Sequence, residues 1–126
     1  MINESAKYTA NIGSVLISTA NSALDGSGTL GSVITGASNG TLVKRITIKA
    51  ITNTTHGMVR LFVSDGTKTR LIKEVDIPAV TKASVDRSFQ FVFLLNFNLR
   101  SGYILKASTE NAESFQVIAE GLNWTY

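Results

Sequence analysis

Cysteine is missing from this 126-residue chain. Its absence excludes a disulfide framework, thiolate zinc sites and cysteine nucleophiles together. Only one histidine is present, His56, which excludes multi-histidine metal sites and leaves at most one imidazole base. Charge is sparse at 17%, and the net charge of +3 is too small to argue for nucleic acid by itself. No window approaches the ~18 consecutive apolar residues of a membrane-spanning helix. The opening residues, Met1 to Lys7, lack the basic start and apolar block of a secretory signal. The sequons at Asn39, Asn53 and Asn123 are therefore read as strand-and-turn composition, and the expected compartment is the cytoplasm or a particle assembled there. A single proline, Pro78, leaves long stretches free to enter sheets.

What remains is strand after strand, with no stretch that reads as a helix. Val59–Ser64 runs into Asp65-Gly66 and out through Leu71–Ile77 to Pro78, the pattern of a β-hairpin closed by a glycine-containing turn. Ile46, Ile48 and Ala50 alternate with Arg45, Thr47 and Lys49, as on a half-buried strand. Residues 8–43 are rich in Gly, Ser, Thr and Ala and carry one charge, Asp25. Ile12, Val15, Leu16, Ile17, Leu30, Val33 and Ile34 interrupt that segment and predict strands near 12–19 and 29–36. So uncharged a surface is expected to touch another subunit in part. Phe89, Phe91 and Phe93 line one face of a further strand. Tyr103–Ser108 and a segment from Phe115 towards Trp124 complete the set.

The expectation is one domain over 1–126, all-β, an eight-stranded antiparallel sandwich of jelly-roll type with connections of roughly 4 to 9 residues. At 44% hydrophobic content, a chain this long buries roughly two thirds of its unfolded surface and needs no staples.

Two strands read as apolar on both faces. Between Met58 and Val63, one face carries Val59, Leu61 and Val63, and the other Met58 and Phe62 beside Arg60. From Phe89 to Leu95, the aromatic face is backed by Val92 and Leu94. One face can pack on the opposite sheet, but the other needs separate cover, and no helix is present to supply it. Met58, Phe62, Val92 and Leu94 are thus the expected interface residues.

Other candidates are weaker against their ordinary structural readings. Gly26-Ser27-Gly28-Thr29-Leu30-Gly31 matches the dinucleotide pattern letter for letter, but no helix follows to receive a pyrophosphate, so a glycine-rich loop is expected. His56 reads as a loop histidine, since no spacing brings Asp65, Asp76 or Asp86 to it. Glu74 and Asp76 share a strand face and could suggest glycoside hydrolysis or weak calcium binding, yet with Lys73 between them they suit a solvated surface. Lys44, Arg45, Lys49 and Arg60 could form a basic strip with Phe62 as a stacking platform, but Met58 and Phe62 interrupt it. Trp124, Tyr126, Tyr103 and Tyr8 could stack a sugar, although terminal aromatics more often seal a core or an interface. No catalytic, cofactor or metal site is expected, and no membrane partner.

Gly57–Gly66, followed by Leu71–Ala79, resembles small β-sandwich structural proteins of tailed phages, and Leu99–Thr109 has the same flavour. That resemblance covers about half the chain. It implies an auxiliary capsid, head-decoration, or tail or fibre adaptor subunit of a virion. Such a subunit assembles in the host cytoplasm with itself, as a cyclic homo-oligomer such as a trimer, and with a major capsid or tail protein. The alternative reading is a carbohydrate- or receptor-binding β-sandwich module.

Overall fold

A computed structural model describes residues 8–125. Eight strands follow one another: β1 Tyr8–Ile17, β2 Gly31–Thr35, β3 Thr41–Ala50, β4 Gly57–Ser64, β5 Thr69–Ile77, β6 Gln90–Leu99, β7 Ile104–Thr109 and β8 Phe115–Trp124. They form two four-stranded sheets, ordered β1-β8-β3-β6 and β2-β7-β4-β5, with every pairing antiparallel. First pairs with last, second with seventh, third with sixth and fourth with fifth. The chain is therefore one long hairpin, turned at Asp65–Lys68 and rolled across two layers, which is the jelly roll.

The turn follows from its residues. Asp65 Oδ1 accepts from the Thr67 and Lys68 amides at 2.8 and 2.7 Å, and Gly66 takes φ of +94°, the left-handed region that glycine enters without penalty. These amide donors hold the Asp65 carboxyl below its ordinary value.

Between the sheets lie Val43, Ile46, Ile48, Val59, Leu61, Leu105, Phe115 and Val117, all 0–1% exposed. On β3 the alternation slips by one residue between Val43 and Arg45 in both ladders. This bulge lets Val43 and Ile46 both point inward. Asn96, at φ +51°, marks the matching irregularity on β6. Phe91 stays 41% exposed although it faces the core side, because β6 is an edge strand with no neighbour beyond it. Lys73 lies 5.0 Å over the next ring, Phe93.

Two connections are longer than expected, 18–30 and 78–89, because each has internal bonding of its own. In the first, Asn21 is buried and its Nδ2 donates to the Ser27 and Thr29 carbonyls at 2.9 Å, while its Oδ1 accepts from the Ala23 amide at 3.0 Å. In the second, Thr54 and Val80 form an isolated bridge, and Ser88 Oγ donates to the Thr52 carbonyl at 2.6 Å.

The 18–30 segment crosses the outer face of the β2-β7-β4-β5 sheet. It is tied at one end by the Asn21 amide to the Thr109 carbonyl (2.8 Å). At the other end it lies so close that a Cβ on Gly26 would sit 2.6 Å from the Thr69 Cβ. The glycine-rich run is thus a packed cover leading into strand β2, not a phosphate cradle leading into a helix.

Candidate functional site

The expected contact set divides between the two sheets. Phe62 is 0% exposed. It sits on the outer side of β4, yet the 18–30 segment closes over that side. The second apolar face of β4 is covered within one chain, which corrects the expectation for Phe62 as a contact residue. Met58, on the same side, is half-buried. Arg60, also there, is 6% exposed and held between two carboxylates: Nε donates to Glu74 at 3.0 Å and Nη2 to Glu110 at 2.7 Å. Burial works against its charge, but the bonds to Glu110 and Glu74 outweigh that and keep the guanidinium above its ordinary value.

The β1-β8-β3-β6 sheet is different, because none of the described residues crosses its outer face. Antiparallel partners directly opposite one another share a face, so the register defines rows across it. Ile12, Glu120, Arg45 and Leu94 form one row; Ser14, Ile118, Thr47 and Val92 the next; Leu16, Gln116, Lys49 and Gln90 a third. Leu94 is 71% exposed, Ile12 68%, Leu16 54% and Val92 45%. Leu42 and Leu122, opposed across β3 and β8, are half-buried beside them.

The ion pair on this face is internally satisfied. Arg45 Nε and Nη2 donate to the two Glu120 oxygens at 3.0 and 2.7 Å. The hydrogen bond and charge of Arg45 lower the Glu120 carboxyl, and those of Glu120 raise Arg45. A shallow, largely aliphatic depression of about 370 Å³ lies along the pair, lined by Ile12, Leu94, Ala10 and Leu122 with Lys44 at its rim.

Val92 and Leu94 were visible in the sequence as the apolar reverse of an aromatic strand. Ile12 and Leu16 were expected to take part only as members of the low-charge 8–43 segment, and were not paired with Val92 and Leu94. The signal was there: Tyr8, Ala10, Ile12, Ser14 and Leu16 alternate along β1 without a charge.

The remaining candidates scatter. Lys44, Arg45 and Lys49 lie on β3 and Arg60 on β4, in opposite sheets, and Phe62 is buried. They share no surface. His56 is exposed and lines a cleft with Asp76, Glu110 and Arg60, while Asp65 is engaged in its own turn. Glu74 serves as an ion-pair partner. No group of three or more His, Asp or Glu side chains placed to hold a metal ion occurs among the described residues. Tyr8 and Trp124 do come together, ring centroids 6.1 Å apart and perpendicular; Tyr126 lies outside the described residues.

Fold and surface define a jelly roll with one sheet face covered by its own loop and the other left bare by the described residues. No protein-family model and no curated protein sequence matches the chain. Among solved structures it is similar to two crystal structures of a pentameric capsid protein isolated from metagenomic phage sequences. Each has 18% identity and a TM-score of 0.39 over 87% of this chain. The chain spans 58% and 60% of the length of those chains.

Proposed function

We propose that this chain is a structural subunit of a tailed-phage particle, joining copies of itself and a larger capsid or tail protein through the outer face of the β1-β8-β3-β6 sheet. The observation that carries this reading is the exposed patch of Ile12, Leu16, Val92 and Leu94, spread over three successive rows of this face. Four strands ~4.8 Å apart and about ten residues long present a flat area of roughly 600 Å². That approaches the ~800 Å² per partner of a standard specific interface. Because Arg45 and Glu120 neutralise each other, an apolar partner can cover the centre without leaving a charge unpaired.

The likeness of the β4–β5 hairpin to tailed-phage structural proteins supports reading that assembly as a virion. An auxiliary or decoration role needs no catalytic groups, only repeated contact, and a closed cyclic homo-oligomer would cover the face on every copy. Native mass spectrometry with sedimentation over a concentration series tests the reading. The expected result is a discrete multiple of the chain mass, and a chain that stays monomeric at the highest concentration and with candidate capsid and tail proteins removes it.

A further inference from the structure

A second site lies at one end of the sandwich, beyond the patch of exposed aliphatic side chains. The 36–40 and 100–103 turns meet there and are tied together. Gly36 donates to the Tyr103 carbonyl at 2.7 Å, Gly102 to the Gly36 carbonyl at 3.0 Å, and Trp124 to the Gly40 carbonyl at 3.0 Å. The approach is so close that a Cβ on Gly36 would lie 2.1 Å from the Arg100 carbonyl oxygen. Between the turns is a cleft of about 480 Å³ lined by Trp124, Ser38, Asn39, Asn98, Arg100 and Ser101. Pockets for small ligands fall in the range of about 300–1,000 Å³.

The chemistry of this cleft is specific. Trp124 offers a partly exposed indole, braced by the perpendicular Tyr8 ring. Ser38, Asn39, Asn98 and Ser101 are exposed, and their side chains make no hydrogen bond to another described residue. Arg100 has no carboxylate partner among the described residues. Its guanidinium rests 5.9 Å from the Tyr103 ring centroid, and no Asp or Glu lines the cleft. An aromatic face receives the apolar side of a pyranose ring. Amides and hydroxyls supply donors and acceptors for its hydroxyl groups, and a lone guanidinium suits a single carboxylate. One cation is too few to follow a nucleic-acid backbone, where affinity comes from neutralising several phosphates.

We infer that this cleft binds an acidic saccharide, a sugar ring bearing one carboxylate such as a uronate or sialate. The ring stacks on Trp124, the hydroxyls meet Asn39 and Asn98, and the carboxylate meets Arg100. This site adjoins the assembly face, since Tyr8 and Trp124 lie on the same side of the sheet as Ile12, but Ile12, Leu16, Val92 and Leu94 do not line the cleft.

Binding of the full chain to an array of hexuronate- and sialate-containing oligosaccharides, their neutral counterparts and a short single-stranded oligonucleotide tests the inference. The acidic sugars are expected to bind above the neutral ones. Trp124→Ala is expected to weaken all sugar binding by on the order of tenfold. Arg100→Met is expected to remove the preference for the acidic sugars, a loss of roughly tenfold. Should Trp124→Ala disturb folding, Arg100→Met decides alone, since Arg100 is exposed. Silence towards every sugar at millimolar concentration overturns the inference. So does binding that Arg100→Met leaves unchanged, or stronger binding of the oligonucleotide. Sugar binding that persists in a Leu94→Lys variant with impaired assembly would separate this site from the assembly face.

Discussion

Leu94→Lys places an ammonium in the middle of the bare sheet face, in the same row as Ile12 and the Arg45–Glu120 pair. In an isolated chain the substitution meets water, because Leu94 is 71% exposed. Stability of a dilute monomer should therefore move by no more than about 0.5 kcal/mol. In an assembly the consequence is different. Covering a leucine that is 71% exposed gains about 1–2 kcal/mol, roughly two thirds of the ~1.5–3 kcal/mol for complete burial. The lysine forfeits that gain, and its ammonium must be desolvated without a partner carboxylate, since Glu120 is already held by Arg45 in two hydrogen bonds. A total of about 3 kcal/mol per contact corresponds to more than a hundredfold weaker association. Sedimentation velocity of wild type and variant at matched concentration reads this as a shift towards monomer, with urea unfolding of dilute samples as the control for fold. An oligomer of unchanged mass and affinity in the variant would show that the face is not the contact. The reasoning from exposed aliphatic rows to assembly would then fail, whatever the oligomer number.

Phe62 supplies the opposite test: Phe62→Ala should cost about 3–5 kcal/mol in urea unfolding through the cavity it leaves, with no direct effect on subunit contacts, because Phe62 is fully buried within one chain. Replacing Glu74 and Glu110 together by alanine leaves the buried Arg60 guanidinium without its two acceptors. Both carboxylates are more than one third exposed, so water makes up part of the loss, and a cost of about 1–3 kcal/mol by chemical denaturation is expected. For pH, the Asp25, Asp65 and Glu120 carboxyls are all lowered in the folded chain, by the Ser27 side chain, the Lys68 and Thr67 amides, and Arg45 respectively. Their stabilisation is present above the unfolded carboxylate range of about 4 and is lost as pH falls through the lower folded values. A melting temperature that declines below about pH 4, with a shallower decline in Asp65→Asn, is the expected profile. An unchanged slope in that variant counts against the turn bonds.

The strands were legible because their signals are local. Ile46, Ile48 and Ala50 alternate with polar neighbours, Asp65-Gly66 marks the hairpin turn, and Pro78 stops β5 because it has no amide to donate. The long 18–30 connection was less legible. Its order comes from Asn21 reaching Ser27 and Thr29 in space, and composition alone shows only glycine, serine and a lone aspartate. The bulge at Val43–Arg45 was equally silent, since it depends on what β6 and β8 present on either side. At the candidate site, Val92 and Leu94 could be picked out, whereas their companions Ile12 and Leu16 lie some eighty residues away and join them only through the intervening strands β8 and β3.

Phe62 and Leu94 show where the boundary falls. Alternation along a single strand determines that each projects from the reverse of a strand whose front also carries apolar side chains, and that much the amino-acid order settled unaided. Whether anything lies over the reverse depends on which connection crosses which layer. Rolling the hairpin carries residues 18–30 across β4 and leaves β6 bare, so two side chains with the same local pattern end as core and as surface. The difference is one of long-range topology, because the groups that shield Phe62 from water are brought to it only by the path of the whole chain.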